Sequence, residues 1–221
     1  MELLHAAHVP AGDGPFPTVI ALHGWGASAH DLFGLAPYLH GGEAVVLCPQ
    51  GPLAFDTGGG VPGHGWFPLT SGAGFDPALF ERALVTLRGF VDEAVTRYPV
   101  EKRKVVLLGF SQGGVMAYAL GLREPARFAG IAALSSWLPD PLASSIPKQP
   151  EHDGLPVLVQ HGTEDPMIGI ERARESRAAL LRLGVGASYH EYEMGHEIRP
   201  EALQDLLVWL EDKVLQPVRL F

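Results

Sequence analysis

A serine flanked by glycines is the feature of this 221-residue chain that most clearly indicates chemistry. The segment Gly109-Phe110-Ser111-Gln112-Gly113-Gly114 follows the apolar run Val105–Leu108 and precedes a helical pattern at 115–123. G-x-S-x-G between a strand and a helix is typical of a tight turn that exposes the serine hydroxyl above a sheet. The glycines leave room for that turn, and the N-terminus of the following helix favours developing negative charge. We therefore predict that Ser111 is a nucleophile.

A nucleophilic serine needs a base, and the base needs an acid that orients it. In the α/β-hydrolase arrangement the acid follows the serine in the chain and the histidine comes last. Asp165 lies just past the run Pro156–Gln160, and catalytic groups of open sheets collect at such strand ends. We choose Asp165 as the acid, with its neighbour Glu164 and the earlier Asp140 as alternatives.

Two histidines lie well downstream of the predicted acid. His190 falls inside the run Ser188–Tyr192, which favours a strand side chain, whereas His196 follows Met194-Gly195 on a predicted loop. We therefore predict that His196 is the base. The remaining histidines, including His23 and His161, show no spacing typical of metal ligands, so we expect neither a metal nor a cofactor.

Acyl transfer also requires N–H donors aimed at the oxyanion of the tetrahedral intermediate. One donor is the backbone N–H of the residue after the nucleophile, here Gln112. The other comes from the loop after an early strand, and the run Thr18–Leu22 leads into His23-Gly24-Trp25-Gly26. The glycines on either side allow Trp25 to turn its N–H inward, so we predict Trp25 and Gln112 as the oxyanion hole.

Positioning these residues requires a sheet whose strand ends meet at one edge. Short apolar runs are typical of parallel strands buried on both faces, and helical periodicity between them predicts an α/β sheet with helices on both faces. The predicted strands are Thr18–Leu22, Ala44–Cys48, Val105–Leu108, Ala129–Leu134, Pro156–Gln160 and Ala187–Tyr192; the predicted helices are Ala78–Tyr98, 115–123, Ile170–Leu183 and Pro200–Val214; Met1–Val9 could add an antiparallel edge strand. We expect one domain spanning residues 1–221.

One segment interrupts this alternation. Gly51–Phe75 holds eight glycines and three prolines, and a loop of that length in a compact domain is usually functional or disordered. Its aromatic residues argue against disorder. Only 21 residues separate Leu134 from Pro156, too few for a cap domain. We expect an open site with an acyl pocket lined by Trp66, Phe67, Trp137 and Met167.

Four segments resemble the phospholipase/carboxylesterase family of α/β hydrolases, which includes bacterial carboxylesterases and acyl-protein thioesterases. They are Leu22-His23-Gly24-Trp25-Gly26, the six residues 109–114, the eight residues 161–168 and Met194-Gly195-His196. The resemblance runs from about Pro17 to Leu210 and implies the same triad and oxyanion hole. Thioesterases of the family usually have Leu and then Gly-Asp after the His-Gly, whereas Trp25-Gly26-Ala27 stands here, and the cluster Gly58-Gly59-Gly60 is unusual. These differences concern substrate choice.

Charge and cysteine content restrict the class of protein. The net charge is −9, and the chain has no basic cluster longer than Lys102-Arg103-Lys104, which argues against nucleic-acid binding and against stable association with anionic membranes. The single cysteine, Cys48, allows no intrachain disulfide. With no signal peptide visible at 1–10 and no long apolar run, we expect a cytoplasmic protein.

The sequence thus predicts a serine carboxylesterase that hydrolyses small to medium acyl esters through an acyl-enzyme. Thioesterase or lysophospholipase activity on the same triad, an acyltransferase, and a non-catalytic binding protein of the same fold are the alternatives. The sequence leaves open the physiological substrate, the choice between ester and thioester, and whether the chain forms a homodimer.

Overall fold

The computed structural model describes residues 3–58, 60–69 and 76–215. Its strands are β1 (His5–His8), β2 (Phe16–Leu22), β3 (Val45–Pro49), β4 (Leu53–Asp56), β5 (Pro62–Gly65), β6 (Val100–Phe110), β7 (Gly130–Leu134), β8 (Val157–Gly162) and β9 (Ala187–Tyr192). Seven of them form one sheet in the order β1-β3-β2-β6-β7-β8-β9. Every pair in it is parallel except β1 with β3, which confirms the predicted mostly parallel sheet and its antiparallel edge strand.

The helices lie between the strands, as the periodicity predicts. They are α1 (Pro77–Arg97), α2 (Gln112–Arg123), α3 (Asp140–Ser145), α4 (Ile170–Leu183) and α5 (Pro200–Trp209). Asp76 caps α1, since its carboxylate accepts hydrogen bonds from the N–H groups of Ala78 and Leu79. The last predicted helix runs on past Trp209 as a π-helical turn, Leu210–Leu215. No helix within the described ranges has the length and apolar character needed to cross a membrane.

Residues that alternate along the central strands face two different cores. Ile20 and Leu107 pack against α1, α2 and α4 on one face of the sheet. Val19 and Val106 pack on the other face, against α5 and the single-turn segments between β2 and β3. Burial on both faces explains why these strands are continuous apolar runs rather than alternating ones.

Part of the predicted loop at 51–75 forms a hairpin. β4 and β5 pair in antiparallel fashion, and Pro62-Gly63-His64-Gly65 has no strand-like pattern from which β5 could be predicted. Residues 70–75, the end of the predicted loop, lie outside the described residues. Between Leu134 and Val157 the chain forms only the six-residue α3 and one short 3-10 turn, so no cap domain covers the site.

Candidate active site

Ser111 occupies the turn between β6 and α2 with φ 54° and ψ −121°, a backbone conformation that side-chain-bearing residues rarely adopt. Two hydrogen bonds hold this turn in place. The Ser111 N–H donates to the Leu134 carbonyl of β7 at 2.9 Å, and the Ser136 hydroxyl donates to the Ser111 carbonyl at 2.7 Å. The turn is therefore anchored to the end of β7 on both sides of the serine.

The glycines of the turn are required by close backbone approach. A Cβ on Gly109 would lie 2.3 Å from the Gly113 carbonyl oxygen, and one on Gly113 would lie 1.9 Å from the Leu22 carbonyl oxygen of β2. A Cβ on Gly114 would lie 2.3 Å from the Ser136 hydroxyl that binds Ser111. These contacts bring α2 down onto the sheet edge and fix where the serine points.

Asp165 and His196 follow the adjacent parallel strands β8 and β9, and their side chains meet. His196 Nδ1 lies 2.7 Å from Asp165 Oδ2. Because an ionised carboxylate can only accept, Nδ1 carries the proton and Nε2 of the same ring is left as an acceptor. The His196 ring also packs against Phe110, with centroids 4.9 Å apart. Together these two contacts set the plane and the tautomer of the imidazole.

The Asp165 carboxylate is held on both oxygens. Oδ1 accepts the N–H groups of Met167 and Ile168 at 2.8 and 2.9 Å. Burial opposes ionisation of Asp165, but the hydrogen bonds from Ile168, His196 and Met167 outweigh it and hold the pKa below the usual 3.8. The group is therefore an anion at neutral pH. His161 supports the same loop, because its Nε2 donates to the Ile168 carbonyl at 2.7 Å.

Trp25 and Gln112, the residues predicted to form the oxyanion hole, line the same cavity as Ser111. Within the described residues, neither the Trp25 N–H nor the Gln112 N–H donates to a protein acceptor. Gln112 is the first residue of α2, where N–H groups have no partner inside the helix. The Trp25 loop is fixed by the hairpin: the Gly26 N–H donates to the His64 carbonyl, and the Trp25 ring stacks on Phe55 with centroids 4.2 Å apart.

The Gln112 side chain joins this turn to the segment after the hairpin. Its Oε1 accepts the Trp66 N–H at 2.8 Å, and its Nε2 donates to the Phe67 carbonyl at 2.6 Å. The Trp66 indole donates in turn to the His23 carbonyl at 2.9 Å. His23 is itself fully used, since Nδ1 donates to the Gly24 carbonyl and Nε2 accepts the Gly51 N–H. Burial lowers its pKa, which keeps the ring neutral.

A cavity of about 530 Å³ opens above Ser111. It brings together most of the residues singled out from the sequence, namely Trp25, Phe67, Ser111, Gln112, Trp137, Met167 and His196. Trp66 is not among them: it is almost fully buried one layer behind, where its indole supports the Trp25 loop. Sequence reasoning did not single out three further lining residues, Asp31, Gly169 and Arg172, because nothing in their local pattern marks them.

The alternative acids and base lie elsewhere. Glu164 is exposed and does not line the cavity. Asp140 pairs with Arg182 at 3.3 Å. His190 lies within β9, and its Nδ1 is 4.0 Å from the carboxylate of Asp205 on α5. Within the described ranges, no three His, Cys, Asp or Glu side chains come together as a metal site.

Comparison with known proteins identifies the family and the fold of this chain. A family model described as Phospholipase/Carboxylesterase matches residues 5–213. A probable carboxylesterase SOBER1-like of Arabidopsis thaliana is 30% identical over 174 residues, covering 75% of this chain and 64% of that protein. Acyl-protein thioesterase 1 of Gibberella zeae is 28% identical over 223 residues, covering 93% and 94%. The crystal structure of esterase PE8 superposes with a TM-score of 0.82 at 27% identity, covering 97% of this chain and all of that one.

Proposed function

This chain belongs to the phospholipase/carboxylesterase family and is a serine ester hydrolase, and from that premise we propose that Ser111, His196 and Asp165 form its catalytic triad. The observation that carries the proposal is the 2.7 Å contact between His196 and the buried Asp165, with His196 and the strained Ser111 lining one cavity. The serine follows β6, the aspartate follows β8 and the histidine follows β9. This is the chain order Ser–Asp–His that is typical of the fold. We propose a carboxylesterase acting on small to medium acyl esters.

In this proposal each group has one part in the reaction. Ser111 Oγ attacks the ester carbonyl while His196 Nε2 takes its proton, and Asp165 stabilises the imidazolium that forms. The Trp25 and Gln112 N–H groups receive the oxyanion, and a preorganised donor of this kind is worth roughly 3–4 kcal/mol. His196 then protonates the departing alcohol. Water activated by the same ring releases the acid from the acyl-enzyme.

The test of the triad is Ser111→Ala. We expect kcat/KM on p-nitrophenyl butyrate to fall by roughly 10³–10⁶-fold with an unchanged circular dichroism spectrum, because the nucleophile is lost and binding remains. A fluorophosphonate probe should label the wild type and not the variant. Ser144→Ala, at an exposed position on α3, is the matched control and should keep full activity. Near-full hydrolysis by Ser111→Ala would show that another group carries the chemistry.

The first cavity offers an apolar surface to the acyl portion of an ester. Its wall includes Phe67, Leu69, Trp137 and Met167, which favours an apolar acyl chain over a charged group. Across p-nitrophenyl esters of increasing acyl length, we expect kcat/KM to peak at small to medium chains. A peak at palmitate would contradict this assignment while leaving the triad intact.

A further inference from the structure

A second cavity, of about 240 Å³, adjoins the active-site cavity. It is lined by Asp31, Leu32, Gly34, Leu35, Phe110 and Ile198. Asp31 and Phe110 line both cavities, so the two lie side by side and share these side chains as part of their walls. At about 30 Å³ per water molecule in the liquid, the second cavity has room for roughly eight waters, or an organic group of several carbons.

The second cavity lies on the histidine side of the site. Phe110 packs against the His196 ring, and Ile198 follows His196 by two residues. The wall of Phe67, Trp137 and Met167 belongs to the first cavity alone. In acyl transfer the imidazole that deprotonates the nucleophile must reach the leaving oxygen to protonate it. The leaving group of a bound ester therefore lies next to His196, and the acyl chain lies away from it.

We propose that the second cavity binds the alcohol portion of the ester, an inference that rests on the proposed esterase function. The class of alcohol follows from the lining. Leu32, Leu35, Phe110 and Ile198 offer apolar surface, which favours an aliphatic or aryl alcohol of several carbons over methanol. Asp31 is exposed and forms no ion pair with any residue that the structure describes, so it disfavours an acidic alcohol and tolerates a cationic one. The acyl chain occupies the first cavity.

Gly34 provides a direct test because its position is open. A Cβ built there meets nothing within 4 Å, and its backbone is not left-handed, so Gly34→Leu can fill the cavity without strain. The substrates are butyrate esters of methanol, butanol and benzyl alcohol, which all form the same butyryl-enzyme. Deacylation is then common to the series, and kcat/KM, which reports the steps up to acylation, carries the effect of the alcohol. In the wild type we expect kcat/KM to rise at least fivefold from the methyl to the butyl ester.

Gly34→Leu should abolish this rise and leave the acyl-length profile of the methyl esters unchanged. Gly89→Leu, at an open and exposed position on α1, is the control and should behave as wild type. Leu35→Ala removes apolar wall without adding bulk and should reduce the rise by a smaller factor. Asp31→Asn should raise kcat/KM on the butyrate ester of glycolate at least threefold at low ionic strength, relative to propyl butyrate.

The outcomes separate this inference from the function on which it rests. A shifted acyl-length profile in Gly34→Leu would show that the second cavity holds the acyl chain, which overturns the assignment. An unchanged alcohol profile in both Gly34→Leu and Leu35→Ala would show that the cavity is unused, which also overturns it. With either result, an inactive Ser111→Ala would still support the proposed esterase function. An active Ser111→Ala would contradict that function itself.

Discussion

Ser111 carries its hydroxyl on a backbone that glycine adopts far more readily than any other residue. Holding a side chain at such φ and ψ costs about 1–3 kcal/mol, and the hydrogen bonds from Ser136 and to Leu134 offset this cost. The residue proposed as the nucleophile is therefore one whose backbone conformation the fold maintains at a cost.

Replacing Ser111 by glycine should therefore relieve strain that alanine retains. We expect Ser111→Gly to unfold with a free energy about 1 kcal/mol higher than Ser111→Ala, although glycine also gains entropy in the unfolded chain. Both variants lack the nucleophile, so activity does not confuse the comparison. Urea titration followed by tryptophan fluorescence measures the difference. If Ser111→Ala is equally or more stable, the turn is not strained.

The packing of α2 on β2 depends on a position where no side chain fits. A Cβ on Gly113 would lie 1.9 Å from the Leu22 carbonyl oxygen, at the end of an inner strand whose backbone is held by its neighbours in the sheet. We expect Gly113→Ala to destabilise the protein by more than about 3 kcal/mol or to prevent folding. Soluble yield and the urea midpoint measure the effect.

Gly89→Ala is the matched control for that change. Gly89 lies on the exposed face of α1, where an added methyl group would meet no atom within 4 Å. The same substitution should therefore stabilise by about 0.5–1 kcal/mol through helix propensity. Opposite signs at the two glycines would show that contact, not glycine content, decides the outcome. Destabilisation of similar size at both would argue against the close approach of α2 to β2.

Strand order explains why much of the candidate active site, at the carboxyl ends of the parallel strands, was predictable from the sequence. Asp165 and His196 follow β8 and β9, which are adjacent and parallel, so the ends of two apolar runs indicate two side chains that meet. The β4–β5 hairpin and the buried position of Trp66 were not predictable in this way. Residue type alone does not say whether an aromatic side chain lines a cavity or supports the loop behind it. The catalytic roles of Asp165 and His196 stay predictions, and so does a cytoplasmic location.

The second cavity lay beyond prediction for a topological reason. Leu32 and Leu35 lie in the turns after β2, whereas Ile198 lies between β9 and α5. The two segments approach each other because both pack on the same face of the sheet. Gly34 looks like an ordinary turn glycine until the open space around it is seen. Contacts between segments so far apart in the chain leave no local spacing to recognise.

Acidic residues dominate the charge of the whole molecule, and several of them ionise more readily after folding. The hydrogen bonds from Arg174 and Tyr189 lower the pKa of Glu191 from 4.5 to about 2. The pKa values of Glu81 and Asp165 are also lowered. A carboxyl whose pKa is lower in the folded state binds protons more readily when unfolded. Its stabilising contribution is therefore complete above the unfolded pKa and disappears as the pH falls through the folded one.

Glu191→Gln isolates one of these contributions. We expect the variant to be less stable than the wild type at pH 7 by about 1 kcal/mol or less, since the Glu191–Arg174 pair is exposed to solvent and screened. The difference should shrink between pH 4.5 and pH 2, where Glu191 of the wild type becomes protonated, and it should also shrink in 1 M NaCl. Thermal unfolding across this range measures it, with Glu43→Gln, at an exposed position two residues before β3, as the control. Parallel curves for Glu191→Gln and the wild type from pH 7 to pH 2 would show that the ion pair does not stabilise the fold.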